Sequence, residues 1–134
     1  MKKIFTSLLS CGMMISVLAQ WSPTSMKGEK IFDSKQPTTY YSLDIATLRA
    51  QLSTAQEAGK NSKPTIINIP TLEGKMEKFA VYSMPVVVKT LSDRYLLSSY
   101  AGVGIDDPQK SIRFSLAPND FQSMIIKNGV YEFI

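Results

Sequence analysis

The side chains that most often carry out chemistry are scarce in this chain. Its 134 residues include no histidine. That removes the commonest general base, the commonest zinc ligand and the usual partner of a nucleophilic serine together. Cysteine occurs once, as Cys11. A transition-metal site would therefore have to be built from carboxylates, a donor set that suits hard cations instead. Acidic residues stand side by side as Asp106-Asp107, but no spacing in the chain approaches a calcium loop. Asp and Glu keep a paired-carboxylate hydrolase open in principle, yet nothing in the order of residues places two of them on one surface. The expectation is a chain that is not itself an enzyme, with no catalytic residue, no metal ligand and no cofactor.

The N-terminus carries a different kind of information. Lys2 and Lys3 form a short positive region, and the run from Ile4 to Leu18 contains no charge. That run suits the apolar core of a signal peptide and is too short to span a bilayer comfortably. Val17 and Ala19 are small residues where a signal peptidase reads, so cleavage after Ala19 leaves Gln20 as the new terminus. A buried N-terminal helix is the competing reading, and charge, length and small-residue order favour the signal. Leu8-Leu9-Ser10-Cys11 loosely matches a lipoprotein acceptor site, but Leu9 is bulky where a small residue is usual. Cleavage after Ala19 removes Cys11 and with it every disulfide, even in an oxidising compartment. The expected location is secreted or periplasmic.

Removal of residues 1–19 takes away two of the 15 Lys and Arg and none of the 11 Asp and Glu, leaving 115 residues with a net charge of +2. Such a chain suffices for one domain with a modest core. The basic residues are scattered and form no run, so nothing favours a nucleic-acid partner. No second long apolar run follows, so no stable membrane anchor is expected.

Three stretches must position whatever the chain does. Residues 20–41 are polar, contain Pro23, Gly28 and Pro37, and show no sustained period. They read as an extended leader whose Trp21, Tyr40 and Tyr41 dock on the body. Residues 42–58 read as the main helix, with Ile45, Leu48 and Leu52 on one face, Ser42 or Asp44 as cap, and Gly59 and Asn61 as stop. From Pro64 the signals are those of strands. Thr65–Pro70 and Lys78–Tyr82 flank a turn at Glu73-Gly74 and form a plausible hairpin. Pro85 confines Val86-Val87-Val88 to an edge or connection. Thr90–Tyr100 holds one short helix, with Thr90 as cap and Leu91, Tyr95 and Leu96 inward. Tyr100–Ile105 is a glycine-punctuated strand and Asp106-Asp107-Pro108 a turn. Ser111–Leu116 alternates polar and apolar residues as a half-buried strand does. Phe121–Lys127 and Val130–Ile134 flank Asn128-Gly129, the strongest two-residue hairpin signal in the chain. The fold class is α+β, an antiparallel sheet of hairpins packed by one main and one short helix. Residues 42–134 make up this domain.

Ile134 ends the sequence within an apolar strand, where tolerant polar residues are usual. Such an end leaves an edge that pairs with something or invites aggregation. A shortened precursor is the favoured expectation, and a native terminus that pairs inside a small sheet is the alternative.

Several blocks, taken together, resemble a known family. Ile69-Pro70-Thr71, Glu73-Gly74 and Phe79-Ala80-Val81-Tyr82 are similar to the N-terminal region of secreted reprolysin-like zinc metalloproteases of Bacteroidetes-type bacteria. So are Tyr100-Ala101-Gly102-Val103-Gly104, Asp107-Pro108 and Ile112-Arg113-Phe114-Ser115-Leu116, and the helix containing Leu43-Asp44 and Leu48. The likeness covers most of residues 40–134. In that family the region precedes the catalytic domain as a pro-segment. The resemblance therefore implies a pro-region that assists folding or inhibits, present here as a fragment without its His-Glu-x-x-His domain. The partner it implies is a protease catalytic domain, in cis or in trans. No catalytic residue carries over, because no position matches the catalytic motif. Cysteine-thiolate masking of the zinc, used by some pro-regions, is closed once Cys11 leaves with the signal.

A free-standing secreted or periplasmic binding module is the alternative. Tyr40, Tyr41, Tyr82, Tyr95, Tyr100 and Tyr131 could line a groove, although ordinary packing is the commoner use of such residues.

Overall fold

The computed structural model describes residues 20–25 and 39–134. The expected signal peptide, including Ala19 and Cys11, lies outside the described residues, as does the middle of the expected leader. The described residues form eight strands and two helices, an α+β arrangement dominated by antiparallel sheet. Strands β1 (Trp21–Thr24) and β2 (Tyr40–Leu43) pair with each other. Strands β3 (Thr65–Pro70), β4 (Met76–Ser83), β5 (Ser98–Gly104), β6 (Ser111–Ala117), β7 (Asp120–Lys127) and β8 (Val130–Phe133) form one meander, each paired with the next. Helix α1 (Ile45–Leu52) links β2 to β3, and α2 (Lys89–Tyr95) links β4 to β5.

Alternation along the strands decides which side is covered. Residues directly opposite one another across a ladder share a face. Ile67 pairs with Phe79, Tyr100 with Phe114, and Ile112 with Ile125. With Ile69, Val81 and Leu116 they form a continuous buried face. Leu48 and Leu52 of α1 and Trp21 of β1 complete this core, so part of the expected leader packs into the same core as the sheet. Trp21 meets Phe121 edge-on at 5.2 Å, and Tyr100 stacks on Phe114 at 4.9 Å. Tyr41 and Leu43 pack against the rim of the cluster.

A flat six-stranded sheet would hold β3 and β8 more than 20 Å apart, at about 4.8 Å per strand. Yet the Leu72 N–H, in the β3–β4 turn, donates to the Glu132 carboxylate on β8. The sheet therefore curls around its buried face.

Local chemistry sets the ends of the elements. Asp44 caps α1, accepting from the Thr47 N–H at 3.0 Å and its hydroxyl at 2.7 Å. The helix stops at Leu52 and does not run on to residue 58. Ser53 closes it, and the Gln56 carbonyl is taken instead by the Ser83 N–H of β4 at 2.9 Å, which withdraws it from a helical ladder. The expected main helix is thus 8 residues long, hardly more than the 7 of α2. On α2 the expected inward face is reversed: Leu91, Tyr95 and Leu96 are exposed. The helix lies across the end of two adjacent antiparallel strands, and none of its residues is buried. Its N-cap is Val88, without a side-chain hydrogen bond, in place of the expected Thr90. The Asn128-Gly129 turn adopts φ of 51° and 77°, the pair of positive values that a two-residue hairpin of matching twist requires.

Candidate interaction surface

Several places among the described residues offer room for a ligand. The first is a cleft of about 970 Å³ beside α1, whose lining includes Trp21, Gln51, Lys75, Glu77, Lys78, Asp106 and Asp107. Its carboxylates are committed to the fold. Asp106 accepts from the Lys78 N–H at 2.7 Å, and both oxygens of Glu77 bind the Lys110 ammonium at 2.7 and 2.9 Å. Asp107 pairs with Lys127 at 2.6 Å and accepts from the Gln109 N–H at 3.1 Å. The Lys127 bond holds the Asp107 carboxyl below its usual range, against a desolvation that acts the other way. Burial works against the Lys110 ammonium, but the Glu77 bonds and the charges of Glu77, Glu132 and Glu73 outweigh it and raise its pKa. The Asp106-Asp107 pair thus ties the β5–β6 loop to β4 and β7.

The second place is the face of the meander that no described element covers, called the uncovered face below. It carries the alternate residues Ile66, Met76, Val103, Met124, Tyr131 and Phe133, most of them exposed. Tyr131 and Phe133 lie nearly parallel, with centroids 6.4 Å apart, and are 56% and 68% exposed. A large exposed apolar surface on a small domain marks a contact site.

Strand β8 adds an edge to that face. Ser123 and Ile134 exchange both backbone bonds, at 2.9 and 3.1 Å. Antiparallel ladders alternate, so Glu132 and Val130 also bond toward β7. The N–H and C=O groups of Tyr131 and Phe133 consequently point away from the sheet. The opposite edge is partly covered, because Gln51 of α1 donates to the Ile66 carbonyl at 2.7 Å. Pro70 further lacks a donor there.

Of the residues singled out by sequence, Gln20 lies at the rim of the first cleft, its carbonyl accepting from the Asp44 N–H at 2.8 Å. The six tyrosines do not gather. Tyr100 is in the core, Tyr41 reaches toward the Gly74 carbonyl at 3.4 Å, and Tyr95 lies under the Arg94 guanidinium at 5.4 Å. Only Tyr131 stands on the uncovered face beside another exposed aromatic ring. Arg113, Met124 and Phe133 carry no motif of their own in the sequence. The signal for them was alternation, since residues between buried positions of β6 and β7 must face the other way.

Among the described residues no helix is long and apolar enough to cross a membrane. Comparison with family models finds no match, and no curated protein or solved structure matches the chain.

Proposed function

We propose that this chain is the non-catalytic pro-region of a secreted zinc-dependent metalloprotease, acting on the catalytic domain as folding assistant or inhibitor. The observation that carries the reading is the uncovered apolar sheet face with its open β8 edge. Such a surface is stabilised by burial against a partner, and binding to one state of that partner shifts its population toward it. The blocks that resemble the family lie chiefly on β3, β4, β5 and β6, four neighbouring strands of one sheet. Addition of a partner strand to β8 supplies main-chain bonds, with Tyr131 and Phe133 as apolar anchors. With no thiol in the processed chain, inhibition is steric or uses a carboxylate or carbonyl oxygen.

The test is to refold a His-Glu-x-x-His catalytic domain encoded downstream of the Ile134 codon, with and without this chain. A raised yield of active protease, or suppressed hydrolysis by the folded enzyme, is expected. A catalytic domain that neither binds the chain nor changes its refolding overturns the reading. So does a clean stop followed by unrelated genes. The free-standing secreted or periplasmic binding module then takes its place, supported by the groove described next.

A further inference from the structure

A groove of about 330 Å³ crosses the uncovered face, and strand register fixes what lines it. Ser99, Ser115 and Gln122 stand opposite one another on β5, β6 and β7. Arg113, Met124 and Phe133 form the next row on β6, β7 and β8. Met84 and Val86 close the end beyond β5, where the Met84 N–H bonds the Ser99 carbonyl at 2.8 Å. The groove is thus apolar at both ends, with two hydroxyls, the Gln122 carboxamide and a guanidinium between. Among the described residues no carboxylate lines it. The nearest along β7, Asp120, is held at the margin by the Gln122 side chain at 2.9 Å. Among the described residues Arg113 makes no ion pair.

We propose that this groove binds an extended peptide of the pattern apolar-x-acidic-x-apolar, its carboxylate on Arg113. This rests on the reading of the chain as an interaction domain and names the chemistry of what it takes. Met84 stands beside Ser99, one spacing beyond β5, so three strand spacings separate it from Met124 on β7, about 14 Å at 4.8 Å each. Alternate residues of an extended peptide lie about 6.7 Å apart, so the first and fifth side chains span nearly the same distance. The outer two seat against Phe133 with Met124 and against Met84 with Val86, where the unbranched thioethers adapt to different shapes. The central carboxylate receives the fork of the Arg113 guanidinium, with the Ser99 and Ser115 hydroxyls beside it.

The probe is the end-blocked peptide Phe-Ser-Asp-Ser-Leu bearing a fluorophore, titrated into the whole chain by fluorescence anisotropy at low ionic strength. Saturable binding is expected, with affinity about tenfold weaker for the Asn-for-Asp peptide and about tenfold weaker for Arg113→Gln. Lys78→Gln, which removes the other strand cation of this face outside the groove, leaves the affinity unchanged. Absence of saturable binding overturns the proposal, as do equal affinities of the Asp and Asn peptides for the parent chain. The peptide comparison needs no variant, so a misfolded Arg113→Gln protein does not shelter the idea. If the peptide binds as expected and the protease domain does not respond, the groove stands and the pro-region reading falls. If the peptide does not bind and the chain still acts on the protease, the reverse holds.

Discussion

Replacement of Gly102 by alanine tests the packing of the sheet at a single atom. Gly102 lies in the middle of β5 on the covered face, opposite Val81 of β4 and Ile112 of β6. A Cβ there would stand 2.7 Å from Val81 Cγ1 and 2.8 Å from Val81 Cα, and closer still to the Ala80 carbonyl oxygen. Carbon atoms at rest sit about 3.5–4.0 Å apart, so β4 would have to retreat by about 1 Å. The obstacle is largely backbone, and it cannot rotate away as a long side chain would. Overpacking of this kind costs about 1–3 kcal/mol, and one or two stretched ladder bonds add about 1 kcal/mol each. Alanine returns roughly 0.5–1 kcal/mol by restricting the unfolded chain, which leaves a net loss of about 1–4.5 kcal/mol. At about 4 °C per kcal/mol for a domain of this size, Tm falls by about 4–18 °C. The assay is thermal unfolding by far-ultraviolet circular dichroism, with urea titration as a second measure. Gly129→Ala is the companion: its φ is 77° but nothing lies within 4 Å, so only backbone strain of about 1–2 kcal/mol is expected. A Gly102→Ala protein that melts within 2 °C of the parent, or later than Gly129→Ala, refutes the close approach of β4 and β5.

Other substitutions probe how α1 is held. Arg49 donates to the Leu96 and Ala117 carbonyls, both at 3.0 Å, and so ties α1 to the end of α2 and to β6. Arg49→Met should lower stability by about 2–3 kcal/mol in urea titrations; an unchanged midpoint would show those bonds to be idle. Leu48 is wholly buried, and Leu48→Ala should cost about 2–5 kcal/mol by the same assay, through lost transfer energy and the cavity left behind. For pH, the Thr47 backbone and hydroxyl bonds to Asp44 and the Lys127 bond to Asp107 place both carboxyls below the ordinary 3.8. Their contribution is present above that value and is lost as pH falls through the lowered folded values. Lys110 is raised above 10.5, so its contribution is present below 10.5 and is lost as pH rises through the folded value. Melting temperatures read from pH 2 to 12 should therefore be nearly level from about 5 to 9.5 and fall at both ends. Asp107→Asn should flatten part of the acid limb, and a limb identical to the parent's would count against the Lys127 pairing.

The residue order by itself determined most of the secondary structure, because the signals there are local. Alternation in Ser111–Leu116 sets a strand with one buried face, and Asn128-Gly129 can adopt two positive φ angles at little steric cost. Asp44 and the spacing of Ile45, Leu48 and Leu52 likewise announce a capped amphipathic helix. The absence of histidine excludes histidine-based catalysis without reference to any fold. What only the tertiary structure decided depends on residues distant in sequence. Helix α1 ends early because Ser83 claims the Gln56 carbonyl, a partner that no local window contains. Leu91 and Leu96 face solvent because α2 crosses the end of two strands, although their spacing suits a buried stripe. Arg113 and Phe133, 20 positions apart, meet at one groove only through the register of β6, β7 and β8. Period and turn chemistry are properties of a few neighbouring residues, whereas the covering of a face depends on which other elements remain to pack on it.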